Sequence, residues 1–171
     1  MLRTAIRILG IDPGLRHLGW GLIESEGSRL SFVACGSINT KSSDDFSVRL
    51  RALHDGLTIV VAAHAPHEAA IEETFVNRDP QSALKLGHAR AIGMLVPALA
   101  NIAVHEYAPN LIKKTVVGAG HADKNQVGTM VRLLLPRSDA RTADAADALA
   151  VAICHAQHRS AKARLAQAVA S

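Results

Sequence analysis

The feature that most constrains this chain is a change of rhythm near residue 40. Before it, three strand patterns follow one another; after it, helical and strand patterns alternate. The strands are predicted over Arg7–Asp12, Leu18–Glu24 and Leu30–Thr40, with "ESEGS" as a hairpin turn between the last two. Phe46, Leu50, Leu53, Leu57 and Val61 then recur at helical spacing, with Ser43 or Asp44 able to cap and a stop near Ala65-Pro66. Glu68–Glu73 reads as a fourth strand. A second helix opens at Asp79-Pro80, with Asp as N-cap and Pro at the first helical position, and should kink or end near Pro97. Ala103–Tyr107 is a fifth strand. Helices follow at Pro109–Val116, Asp123–Leu134 and Thr142–His158, and the last dozen residues should fray. This order predicts an α/β fold: a mixed five-stranded sheet, three antiparallel strands then alternating units, with helices on both faces. One domain spanning 1–171 is expected, frayed over 1–5 and about 160–171.

A chain of 171 residues, 49% of them hydrophobic, can bury on the order of 70% of its unfolded surface without disulfide staples. Cys35 and Cys154 lie far apart and read as small core residues. The start "MLRTAIRI" lacks the apolar run and cleavage site of a secretory leader, and no stretch of about 18 apolar residues offers a membrane span. A cytoplasmic protein is expected. A formal net charge of +4 and a pI near 9.4 permit an anionic partner such as nucleic acid without demanding one.

The chemistry lies in carboxylates at places that should be buried. Asp12 ends the apolar strand "RILGID"; Glu72 follows Ala-Ala-Ile in the fourth strand; Asp144 and Asp147 sit three apart in the apolar helix "TADAADALAVAI", on one helical face. Charges there are costly unless something binds them. Hard divalent cations take oxygen ligands, and a pair of them suits in-line displacement at a phosphodiester. Glu73 adjoins Glu72, and strand alternation sends the two to opposite faces; spacing leaves open which one points inward. His155 and His158 could bind a metal but read as a solvated tail. No P-loop, G-x-S-x-G, C-x-x-C or H-E-x-x-H motif competes.

Five blocks in the same order, "ILGIDPG" with "GWG" after it, "AIEETF", "SALKLGHARA", "KKTVVGAGHADKNQV" and "ADAADALAVAI", resemble those of the RuvC-type Holliday junction resolvases, from about Ile8 to about His155. The resemblance implies a ribonuclease H-like fold, a homodimer, and Mg²⁺-dependent paired nicking of four-way DNA junctions in recombination and repair, with 5′-phosphate ends. It implies two Mg²⁺ per subunit, replaceable by Mn²⁺, and RuvA and RuvB as branch-migration partners. The family's catalytic, metal-holding acids fall on Asp12, Glu72, Asp144 and Asp147, which selects Glu72 over Glu73. Its base-stacking aromatic falls on Phe75, which on local pattern alone reads as a core residue. Its phosphate-side lysines fall on Lys113 and Lys124, which matter only if they flank the acids. Lys85 and Arg90 lie on the helix that in the family helps form the dimer, so their partner is DNA or the other subunit. Pro97 interrupts a helix that the family usually continues. Two other readings remain: a non-catalytic junction-binding protein, and an actin-like phosphotransferase or ATPase domain, whose first hairpin carries a similar Ile-Asp-x-Gly turn.

Overall fold

The structure, a computed structural model, describes residues 5–75 and 79–170, with side chains up to Ala161. Its strands are β1 (Ile6–Asp12), β2 (His17–Glu26), β3 (Arg29–Asn39), β4 (Glu68–Glu72) and β5 (Ala103–Tyr107). Its helices are α1 (Phe46–His64), α2 (Pro80–Leu99), α3 (Pro109–Val117), α4 (Lys124–Leu134) and α5 (Ala143–Ala170). The sheet order is β3-β2-β1-β4-β5. β1 and β2, and β2 and β3, are antiparallel; β1 and β4, and β4 and β5, are parallel. This is the expected mixed sheet.

Local chemistry sets the boundaries. Gly27, at φ 64°, makes the two-residue turn that closes the β2–β3 hairpin. α1 starts later than its expected caps: Asp45 holds the cap position, and its side chain makes no capping bond. It ends where Ala65 turns left-handed. α2 is capped by Asp79, which accepts from the Gln81 amide, and it ends at Leu99, just past Pro97. α5 runs on to Ala170, well past His158, because no breaker interrupts its alanine-rich stretch. The expected fraying over 1–5 falls, apart from Ala5, outside the described residues.

Strand alternation splits the core in two. Leu9, Ile11, Ala69 and Ile71 face α1 and α2, packing with Leu53, Leu57, Val61 and Val96. Ile8, Ile23 and Ala70 face α3, α4 and α5, packing with Ile112, Val131, Leu149 and Ile153. On this second face α5 lies directly on the backbone of the sheet. A Cβ at Gly10 would collide with the Ala148 carbonyl oxygen and sit 2.7 Å from the Ala152 nitrogen. One at Gly19 would collide with the Asp144 carbonyl and lie 3.1 Å from its Cα. Gly10 pairs with Gly21, and Gly19 pairs with Asp12, so the glycines line a trench that α5 fills.

Candidate active site

The parity that divides the core also selects the acids. In β1, Ile8 and Gly10 point toward α5, and Asp12 continues their register. In the adjacent parallel strand β4, Ala70 points the same way, and Glu72 continues it. Ile11 pairs with Ile71, so Asp12 and Glu72 are each the next residue along neighbouring strands. Glu73 has the opposite parity and lies just past the strand end. α5, pressed into the glycine trench, brings Asp144 and Asp147 to the same end of the sheet.

The electrostatics follow from that convergence. The Asp12 carboxyl is pushed up to about 8, first by burial and then by Glu72, Asp147 and Asp144, with Lys124 opposing. Burial raises Glu72 above the ordinary carboxylate range, Asp147 adds to it, and Lys113 and Lys124 pull back. Burial also raises Asp147, against the pull of Lys124. Four acids thus act on one another at one end of the sheet, and the neighbouring cations do not offset the rise of Asp12, Glu72 and Asp147. That donor set fits a divalent cation: oxygen ligands, excess negative charge and partial burial.

Lys113 and Lys124 do flank the acids. Asp123 and Gln126 form a capping box, with reciprocal bonds of 2.9 Å, that starts α4 at Lys124. From there the Lys124 ammonium lies 3.5 Å from Asp147. Lys113 reaches the acids from α3.

The remaining expected residues divide. Phe75, three residues past Glu72, is 66% exposed and not part of the core. Residues 76–78, next to it, lie outside the described residues. Lys85 is exposed on α2, where its charge acts on Asp79. Arg90 is engaged inside the chain: its Nε donates to the Glu72 carbonyl at 3.2 Å, and its Nη2 pairs with Glu106. Sequence spacing gave no sign of this clamp, because its partners lie on β4 and β5.

The expectation of a solvated tail at His155 is overturned. His155 is 3% exposed and tied to the opposite end of β4. Its Nε2 meets Glu68 Oε2 at 2.6 Å, and its Nδ1 meets the Tyr107 hydroxyl at 2.8 Å. Arg159 donates to the other Glu68 oxygen at 2.8 Å, and His105 stacks on His155 with ring centroids 4.4 Å apart. Burial raises the Glu68 carboxyl, but hydrogen bonds from Arg159 and His155 outweigh it and hold the group below its ordinary value. Among the described residues, Glu68, His105 and His155 are the group of His, Cys, Asp or Glu whose ligand atoms come within 4.8 Å of one another, a set that could hold a metal ion. Both His155 nitrogens and both Glu68 oxygens are already bonded, so here the group acts as a latch joining β4, β5 and α5. Cys35 and Cys154 are free thiols, each pushed up to about 11, chiefly by burial.

The profile of the family described as crossover junction endodeoxyribonuclease RuvC matches residues 8–155. The chain belongs to the RuvC family. A RuvC of Rhodopseudomonas palustris is 61% identical over 164 residues, covering 96% of this chain and 94% of its own length. One of Methylocella silvestris is 63% identical over 165 residues, with 96% and 94% covered. The solved structure of T. thermophilus RuvC in complex with a Holliday junction substrate superposes with a TM-score of 0.85 at 31% identity, covering 92% of this chain and 96% of that one. The fold is therefore ribonuclease H-like, and the RuvC family is one of nucleases. An actin-like phosphotransferase and a non-catalytic binding protein are not favoured by these matches. No described helix is long and apolar enough to cross a membrane.

Proposed function

We propose that this chain is a crossover junction endodeoxyribonuclease that resolves four-way DNA junctions by paired symmetric nicks. The observation that carries the reading is the convergence of Asp12, Glu72, Asp144 and Asp147 from two adjacent strands and one helix, with Lys113 and Lys124 beside them. These acids would hold Mg²⁺, two ions per subunit, with Mn²⁺ able to substitute. The chemistry that Mg²⁺ would supply there is Lewis-acid activation of the attacking water and stabilisation of charge on the leaving oxygen. The net reaction adds water across one phosphodiester: the P–O3′ bond breaks, the 3′ oxygen takes a proton, and a 5′-phosphate remains. The chain itself fixes the acids on rigid elements. Lys113 and Lys124 offset the charge that builds on the phosphoryl oxygens. Exposed Phe75 stacks on an unpaired base at the crossover. Lys85 and Arg90 follow the same family expectation of contact with DNA or the other subunit; for Arg90, the Glu72 clamp makes support of the site the nearer role.

The active form is a homodimer, and a twofold axis presents two sites to a junction of near-twofold symmetry. α2 bears exposed Leu84, Leu95 and Leu99, an apolar surface that a second copy would cover. RuvA and RuvB are the expected partners, and the cytoplasm is the expected compartment.

Asp12→Asn tests the site. It should abolish nicking of a synthetic four-way junction in Mg²⁺ while leaving junction binding in a gel-shift assay. A variant that cuts at a near-native rate would remove Asp12 from the mechanism.

A further inference from the structure

Beside the acids lies a concavity of which the proposed chemistry uses only one edge, Lys124 and Asp147. It is a cleft of about 280 Å³ between α4 and the segment leading into α5. Lys124, Gly128 and Arg132 line it from α4; Arg141, Thr142 and Asp147 line it from the other side. Lys124 and Asp147 form its border with the acid quartet, so whatever enters it adjoins the reacting phosphate.

Its character is cationic. Three basic side chains face one acid, and that acid already has Lys124 at 3.5 Å. Among the described residues, neither Arg132 nor Arg141 has a carboxylate within 4.0 Å. Arg132 Nη2 donates to Thr129 Oγ1 at 3.3 Å, which steadies the guanidinium at the rim. The cleft floor is bare: a Cβ on Gly128 would meet only Arg132 Nη1, at 3.8 Å. Glycine inside a helix is disfavoured relative to alanine, and no packing within the chain requires one here. Open space, guanidinium groups without a carboxylate partner and a neighbouring hydroxyl at Thr142 together match a phosphodiester, which guanidinium groups bind through paired donors.

We propose that this cleft binds the DNA backbone phosphate adjoining the scissile one, with Arg132 and Arg141 as its ligands. Contacts of this kind carry no base information; they set the register of the cut strand over the acids. The inference rests on the junction-cutting reading above and adds where the strand runs as it leaves the site.

The test is the salt dependence of junction binding by the full-length chain, in an Asp12→Asn background so that substrate stays intact. Each lost phosphate contact should make the slope of log K against log salt shallower by about 0.9, so Arg132→Gln with Arg141→Gln, which together remove the one contact, should reduce it by about 0.9. Arg132→Lys with Arg141→Lys should retain most of the slope, because the charge stays. An unchanged slope in the glutamine pair overturns the proposal. So does equal loss in the lysine and glutamine pairs accompanied by a lower melting temperature, which would mark a structural role. Failure of the parent reading looks different: the unmodified chain would not nick a four-way junction at all, and the cleft assignment would fall with it.

Discussion

Asp12 is held near 8 by burial first and by three neighbouring carboxylates second, whereas in an unfolded chain it would titrate near 3.9. Between those values the native metal-free protein keeps a proton that the unfolded chain releases. Stability should therefore fall as pH rises through the window from about 4 to about 8. Glu72 and Asp147 shift in the same direction and steepen the effect. Thermal melts in chelator should show the melting temperature dropping across this range, with Mg²⁺ restoring it most at the upper end, where the acids are ionised and the cation has most to offset. Asp12→Asn should flatten the profile and raise the melting temperature of the metal-free chain near pH 8, although the same change is expected to end cleavage. A wild-type profile in chelator that rises with pH would contradict the assignment.

At the scale of elements, the contact that matters most is α5 against β1 and β2. No side chain separates Gly10 from Ala148 and Ala152, or Gly19 from Asp144. Gly10→Ala must displace the helix or bend the strand, and overpacking of this kind costs about 1–3 kcal/mol or more. We expect a lower denaturant midpoint by that amount, and a loss of nicking larger than the loss of stability explains, because Asp144 and Asp147 retreat from Asp12. Much of this architecture is legible in the sequence. The hairpin turn, the Asp79-Pro80 helix start and the acid at the end of "RILGID" each follow from local chemistry. What local chemistry omits is partnership over distance. The choice between Glu72 and Glu73 needs the parity of β4 against β1, and from the sequence it came only through family resemblance. His155 looks like one more residue in a polar tail until Glu68 meets it from 87 positions away. Arg90 looks set for DNA or the other subunit until β4 and β5 place Glu72 and Glu106 beside it. The α1 cap lies past the expected Ser43 or Asp44, because the structure caps at Asp45 without using a side chain, so side-chain chemistry does not mark it.

For the whole molecule, the two faces of the sheet divide the labour. The α5 face gathers the acids; the α1–α2 face exposes Leu84 and Leu99, at 67% and 66%, with an apolar depression over Pro80, Ala83, Gly87 and Ala91 beside Leu84. Leu84→Lys with Leu99→Lys should shift the protein to monomer in sedimentation velocity, and should turn paired nicks on one junction into uncoordinated single ones. A dimer that persists in the double variant would place the interface elsewhere. Asp12 and Glu72 close the ends of β1 and β4, strands with a hydrogen-bonded neighbour on either side. Segments of that kind exchange their amide hydrogens last, because they open only when the entire domain does. The strand-borne half of the acid quartet therefore has no partly melted state of its own, and on heating its geometry should survive until the fold itself is lost.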